Sequence, residues 1–121
     1  MLKKANPLGN VRPYARSFNV HAESADRLTV SFEALESYLE GDDAADRRYL
    51  AGISLRCARD LMALLPVREV AVTAKISGRP ALTVTFARTA LLKVRFGFVD
   101  PEAFALQCGG EFIKEEPEAE A

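Results

Sequence analysis

Two matched segments of alternating polarity, residues 69–76 and 81–87, constrain the fold of this 121-residue chain most strongly. In both, apolar side chains occupy every second position, which is the pattern of a β-strand with one buried face. Between them lies Ser77-Gly78-Arg79-Pro80, where Gly78 supplies the positive φ that a tight turn requires. We therefore predict a β-hairpin over these two segments, with a further element covering its apolar face.

A long amphipathic helix over residues about 43–65 is predicted to be that covering element. Asp42 or Asp43 can cap its start, because a short carboxylate accepts the free backbone N–H groups of the first turn. Pro66 stops it by removing a backbone donor. One apolar stripe recurs at helical spacing, formed by Leu50, Ile53, Cys57, Leu61 and Leu64.

Residues 16–33 allow two interpretations. Alternation around Phe18 and Val20, and again from Leu28 to Phe32, favours a hairpin turning at 23–26, and the segment is rich in β-branched and aromatic residues. The alternative is one helix with a different buried stripe, formed by Ala25, Leu28, Phe32, Leu35 and Leu39. In either case we expect Ala34–Glu40 to end as helix, with Gly41 as its stop.

The two ends of the chain are predicted to lie outside the folded domain. Residues 1–15, broken by prolines, read as an extended arm, and residues 111–121 as a disordered acidic tail. Within the globular part, residues 16–110, Asp100-Pro101-Glu102 predicts a short helix that runs to about Cys108. Thr89–Lys93 fits a helical turn. Residues 94–99 are either a third strand of the hairpin sheet or irregular.

These elements predict one α+β domain. In it the amphipathic helix packs on a small antiparallel sheet, and a short C-terminal helix and the acidic tail follow. The length fits a single domain that buries a core without disulfides or metals. No family resemblance is specific enough to name.

Charge is sorted along the sequence although the formal net charge is only −1. Residues 44–98 hold ten basic and three acidic side chains, a net charge of +7. Residues 99–121 carry −6 and residues 1–43 carry −2. A basic body with an acidic tail suggests an anionic partner, or a tail that competes for the basic face. Whether the tail regulates anything stays open.

The basic residues define a candidate anion or nucleic-acid contact surface. Arginines on the outer face of the predicted helix and basic groups along the hairpin would together contact phosphates. Against this interpretation stand a calculated pI of about 5.9 and few aromatic side chains for base stacking. The candidates are Arg48, Arg56, Arg59, Lys75, Arg79, Arg88 and Arg95.

No catalytic motif is present, and we expect neither metal nor cofactor. One histidine, His21, and two cysteines 51 positions apart do not supply a zinc ligand set. Cys57 lies on the apolar stripe, where a thiolate is costly, so it reads as a buried inert thiol. No phosphate-binding glycine loop or nucleophile elbow occurs. We therefore do not expect an enzyme.

The preferred interpretation is a non-enzymatic cytosolic protein-binding or assembly module, such as an accessory subunit. Strand pairs with polar outer faces, here carrying Thr73, Thr83 and Thr85, leave edges that accept another strand. No apolar stretch approaches the roughly 20 residues that span a bilayer, and the first residues do not resemble a signal peptide, so we expect a cytoplasmic location without a membrane. We expect a protein partner or a homo-oligomer; the alternative is a nucleic-acid-binding domain that uses the basic helix and hairpin.

Overall fold

Five strands and three α-helices form the fold in a computed structural model that describes residues 11–95 and 98–113. In chain order they are β1 (Ala15–Ala22), β2 (Arg27–Ala34), α1 (Asp43–Leu64), β3 (Glu69–Ile76), β4 (Arg79–Ala87), α2 (Arg88–Leu92), α3 (Pro101–Gln107) and β5 (Glu111–Phe112). The strands form one sheet in the order β1-β2-β3-β4-β5. The predicted α+β class is confirmed.

The sheet is mixed, whereas the sequence predicted an antiparallel one. β1 and β2, β3 and β4, and β4 and β5 pair antiparallel, but β2 and β3 pair parallel. The reason lies in the connection. A parallel pair cannot be joined by a tight turn and requires a crossover. α1, with 22 residues, provides that crossover between β2 and β3.

The core lies between α1 and one face of the sheet. Val30, Val72 and Val84 are neighbours on adjacent strands, and all three are buried. Phe32 on β2, Phe86 on β4 and Leu61 on α1 are among the largest fully buried side chains. Each buried side chain of this size contributes roughly 1.5–3 kcal/mol to stability. The even-numbered residues of β2, β3 and β4 therefore define the helix-facing side of the sheet.

The β3–β4 hairpin is confirmed, with a tighter turn than the sequence suggested. Only Ser77 and Gly78 form it, with φ of 52° and 81°. Two successive positive φ values are typical of the turn that matches the twist of a two-residue hairpin. Arg79 and Pro80, assigned to the turn from the sequence, begin β4 instead.

Of the two interpretations of residues 16–33, the structure adopts the hairpin, formed by β1 and β2. The helix predicted over Ala34–Glu40 is wrong. Ala34 pairs with Ala15 inside the sheet, and only Glu36–Tyr38 make one turn of 3-10 helix. Leu35 stays extended, and its backbone N–H donates to the Tyr49 hydroxyl at 3.1 Å. That contact holds the segment against α1 in a non-helical conformation.

α1 lies where it was predicted, with two corrections. Leu64, placed on the buried stripe, is the last residue of the helix and is 49% exposed. Asp42 takes the N-cap position, but its side chain makes no capping bond there. Asp46 instead accepts from the Glu40 backbone N–H at 2.8 Å.

The C-terminal part confirms two predicted elements. α2 matches the helical turn expected near Thr89–Lys93. α3 begins as expected, because the Asp100 carboxylate accepts from the Glu102 backbone N–H at 3.1 Å. The third strand considered over 94–99 is not seen at positions 94, 95, 98 and 99, and positions 96 and 97 lie outside the described residues. Phe98 is 87% exposed.

The paired part of the chain extends beyond both predicted domain limits. At the start, Val11 is buried and residues 12–14 form a 3-10 turn that leads into β1 at Ala15. At the end, Glu111 and Phe112, assigned to the tail from the sequence, form β5 beside β4. The rest of the predicted arm, residues 1–10, and of the predicted tail, residues 114–121, lies outside the described residues.

Candidate interaction surface

β1 is an outer strand of the sheet, and its far side carries no further strand within residues 11–95 and 98–113. The strand is eight residues long and mostly exposed. A row of backbone donors and acceptors on such an edge is a template for another strand. Only residues whose backbone groups point outward can pair with such a strand.

The pattern of hydrogen bonds between β1 and β2 identifies the residues whose backbone groups point outward. The backbone N–H of Glu23 donates to the Arg27 carbonyl at 2.9 Å, so these two residues form a hydrogen-bonded pair. Antiparallel pairs alternate between bonded and non-bonded, and the register continues regularly through His21 with Thr29 and Asn19 with Ser31. The backbone N–H and C=O groups of Asn19 and His21 therefore face β2. Those of Val20 and Ala22 face away from the sheet.

A bulge limits the regular part of this edge. The register shifts by one residue between Arg16 and Asn19, and Ser17 has a positive φ of 56°, a rare conformation for a residue with a Cβ. From Asn19 to Ala22 the pairing is regular again. Natural edges are commonly protected by lysine or proline, and β1 contains neither; Arg16 is its single charged side chain.

A tyrosine cluster fixes the start of β1 on the helix. The Tyr49 hydroxyl, on α1, donates to the Tyr14 carbonyl directly before the strand. The Tyr38 ring lies between the other two, with both centroid distances at 5.6 Å. Burial raises the pKa of the Tyr49 hydroxyl, so it stays protonated and acts as a donor. The edge is thereby held on a rigid element.

The sheet face away from α1 carries small polar side chains. Thr29 and Ser31 on β2 lie beside Ala71 and Thr73 on β3, and all are half-buried. On β4, Thr83 lies beside Thr73 and Thr85 lies beside Ala71, so each of these two rows across the sheet continues on the predicted threonine surface. Asn19 and His21 continue them on β1. The result is a hydroxyl-rich surface, the open face, that leads directly to the β1 edge.

Charged pairs border the open face at both ends. Arg27 bridges two carboxylates, with Nη1 2.6 Å from Glu69 Oε1 and Nε 2.8 Å from Glu23 Oε1. These contacts, the one with Glu69 first, raise the pKa of the Arg27 guanidinium. At the other end Glu33 lies beside Lys75 and accepts from the Gly78 backbone N–H at 3.0 Å. The middle of the face is thus uncharged between two charged borders.

The seven basic residues proposed from the sequence do not share one surface. Arg48 and Arg56 are exposed on the outer side of α1. Arg59, on the same helix, binds Asp60 with Nε 3.1 Å from Oδ1. Lys75 lies on the open face, since its neighbour Ala74 is buried on the helix-facing side. Lys75 therefore lies on the opposite side of the sheet from the arginines of α1.

The remaining three candidates lie at different places. Arg79 is exposed at the start of β4, and Arg95 is exposed beyond the end of α2. Arg88 has a structural role: its guanidinium donates to the carbonyls of Met62, Leu65 and Val67 at 2.6–3.0 Å. Three of the five N–H donors of this guanidinium are thus taken by backbone carbonyls, which leaves the two of Nη1 for a phosphate.

The two cysteines and the histidine lie on three different elements, α1, the end of α3 and β1. Cys57 is fully buried, as predicted, and burial together with the nearby Asp60 raises the pKa of its thiol to about 12. Cys108 is half-buried, and both thiols are free. His21 is exposed on β1. Within the part of the chain that the structure describes, no three histidine, cysteine, aspartate or glutamate side chains are grouped to hold a metal ion.

Sequence reasoning identified Phe18 and Val20 as strand residues but could not place them at an edge. Edge position follows from the parallel pairing of β2 with β3, which joins residues about 40 positions apart. The tyrosine cluster was also missed, because its members are spread over 14, 38 and 49. No local pattern in the sequence signals either feature.

Comparison with protein-family models, curated proteins and solved structures finds no match for this chain. Among the described helices, none is long and apolar enough to cross a membrane.

Proposed function

We propose that this chain is a cytosolic protein-binding or assembly module that takes an extended segment of a partner as an added strand along β1. The observation that carries the proposal is the outward direction of the Val20 and Ala22 backbone groups at an edge without lysine or proline. Strand addition pairs such groups with the backbone of a partner, and side-chain contacts on the two faces then give specificity.

The side chains beside this edge favour a protein partner. Val20 is 41% exposed on the helix-facing side, where Phe18 lies half-buried against Phe32 with a ring centroid distance of 5.6 Å. An added strand would cover both apolar groups. On the open face the exposed Asn19 and His21 offer hydrogen bonds to the same strand. A segment added at this edge would therefore contact apolar side chains on one face and polar side chains on the other.

The two free cysteines support the cytosolic part of the proposal. Disulfides form and persist in oxidising compartments, and reduced thiols are usual in the cytosol. Cys57 lies in the core, and Cys108 is half-buried at the end of α3. A reducing compartment keeps both in this state.

The nucleic-acid alternative has weaker support. It requires Arg56, Arg59, Lys75 and Arg88 to act together on one phosphate backbone. Lys75 lies across the sheet from the arginines of α1, and Arg88 is bound to three carbonyls. We therefore favour the protein-binding function, and the alternative is tested separately below.

An array of extended peptides, probed with the purified full chain, tests the proposal. Val20→Pro removes an outward N–H and leaves the bonds to β2 intact, since proline is tolerated on an edge strand at that kind of position. Val20→Thr keeps the N–H and the β-branched shape and is the matched control. We expect peptides that bind the parent chain and the Thr variant, and that bind the Pro variant at least about tenfold more weakly.

Folding of each variant is checked by circular dichroism and thermal unfolding. Peptides that bind all three proteins equally, or a monomeric chain to which no peptide of the array binds, would contradict strand addition at β1.

A further inference from the structure

We infer that the strand added to β1 is β1 of a second copy of this chain, paired antiparallel about a two-fold axis at Val20. The inference rests on the proposed function and names its partner. A two-fold interface brings the same surface of both protomers together, so this edge must be complementary to itself.

The length of the regular edge favours a register centred on Val20. Regular pairing runs from Asn19 to Ala22, with the bulge at Ser17 before it and the turn of the hairpin after Glu23. Val20 and Ala22 are the outward residues of this segment, and Val20 lies nearer its centre. The two Val20 residues then form a hydrogen-bonded pair and exchange two N–H···O bonds, because their backbone groups point outward. No other position on β1 has an outward residue at the centre of the regular segment.

The side chains on the helix-facing side are complementary in this register. Each Val20, exposed by 41% in the single chain, contacts the Val20 of the second copy. Phe18 of one copy lies opposite Ala22 of the other, so a large side chain meets a small one at both ends. Among the strands, α1 contacts chiefly β3 and β4 rather than β1.

The open face is complementary as well. Asn19 of one copy lies opposite His21 of the other, a non-bonded pair in which side chains approach most closely. An amide and a neutral imidazole each donate and accept, so the two can share a hydrogen bond. An axis at His21 would instead place two histidines face to face.

The charges along the edge permit this pairing. Residues 17–22 contain no lysine, arginine, aspartate or glutamate, so no like charges meet near the axis. Arg16 lies before this segment and Glu23 after it. Antiparallel pairing brings the Arg16 end of one copy to the Glu23 end of the other. Because of the two-fold axis, this attraction between opposite charges occurs twice in the dimer. Joining two five-stranded sheets in this way gives one continuous sheet with both α1 helices on the same side.

Sedimentation equilibrium of the full chain tests the pairing. We expect a concentration-dependent mass that approaches twice the 13.3 kDa of one chain. Val20→Pro should weaken the association at least about tenfold, and Val20→Thr should keep it. A parent chain that is monomeric at every concentration, or a dimer that Val20→Pro leaves unchanged, would overturn the inference.

Disulfide trapping tests the register without proline. Asn19→Cys and His21→Cys are made separately in a Cys108→Ser background, in which the remaining Cys57 is buried. In the register centred on Val20 these positions face each other at a Cα distance of about 4.5 Å, within the range that a disulfide bridges. An oxidised mixture of the two variants should give the crosslinked dimer in at least about tenfold greater yield than either variant alone. Crosslinking of His21→Cys alone at the yield of the mixture would contradict this register.

The two proposals fail differently. A monomeric chain whose binding to array peptides is lost in Val20→Pro would overturn self-pairing and leave strand addition at β1 standing. A monomeric chain that binds no peptide would overturn both.

Discussion

The Arg88 guanidinium donates a hydrogen bond to the carbonyl oxygen of Leu65, with Nη2 2.6 Å from that oxygen. The same side chain reaches the carbonyls of Met62 and Val67, so one arginine at the start of α2 satisfies acceptors at the end of α1 and in the loop that follows. The last carbonyls of a helix have no partner within the helix, and a cationic side chain is well suited to them. Arg88 is therefore a structural residue.

Replacing Arg88 should destabilise the fold. Arg88→Met removes all three bonds and leaves the carbonyls without this partner, which should cost about 1–3 kcal/mol in the free energy of unfolding. Arg56→Met, on the exposed side of α1, is the matched control and should change stability by no more than about 0.5 kcal/mol. Urea denaturation measures both. Equal stability of the two variants would show that the Arg88 contacts do not contribute.

Two leucines three positions apart on α1 should respond differently to truncation. Leu61 is 1% exposed, and Leu61→Ala should cost about 2–5 kcal/mol because it leaves a cavity under the helix. Leu64 is 49% exposed, so Leu64→Ala should cost less than about 1 kcal/mol. Chemical denaturation of both variants tests which side of α1 faces the sheet. A larger loss for Leu64→Ala would reverse that assignment.

Replacing each of two glycines by alanine should change the stability of the chain in opposite directions. A Cβ on Gly52, within α1, would meet only Pro101 Cγ at 4.0 Å, so Gly52→Ala should stabilise the chain by about 0.5–1 kcal/mol. A Cβ on Gly110 would lie 2.7 Å from the Ala105 carbonyl oxygen and 3.0 Å from Val84 Cβ. Gly110→Ala should therefore lower the melting temperature, because α3 or β4 must move to accommodate the methyl group. A melting temperature that changes in the same direction for both would contradict the packing described.

How much of this fold the sequence predicts depends on the range of the contacts. The β3–β4 hairpin was predicted because its alternation and its turn are local, and the bounds of β3 match the prediction. α1 was placed well because its stripe repeats within one element. The repeat does not show where the burial stops, so Leu64, the last residue of the helix, was misassigned. The parallel pairing of β2 with β3 has no local signal, and neither has the short β5. The candidate site depends on that pairing, so only its strand residues and its threonine face were foreseen.

Nucleic-acid binding is tested by its dependence on salt. Phosphate contacts release counterions, so a true binder loses affinity steeply as salt rises. We expect no measurable binding of a short duplex or single strand at about 0.15 M salt by fluorescence anisotropy. Binding there that falls steeply with added salt, and that Arg56→Glu with Arg59→Glu removes, would support the nucleic-acid alternative instead.

Any competition by the acidic C-terminal segment is tested with the same assay. The shortened chain should end at Ile113, because ending it at Gly110 would also remove β5, whose Phe112 pairs with Leu82. If the segment competes for the basic residues, the shortened chain should bind a polyanion more tightly at low salt. Equal binding of the two chains would exclude this competition.

Amide hydrogen exchange at Val20 and Ala22 tests the central claim most directly. In a single chain their N–H groups point away from β2, whereas the N–H of His21 faces β2. Self-pairing at β1 predicts that exchange at Val20 slows at least about tenfold as concentration rises through the dimerisation range, with Ala22 following and His21 changing much less. Exchange at Val20 and Ala22 that is fast and equal at all concentrations, in a chain that nevertheless dimerises, would contradict pairing at this edge.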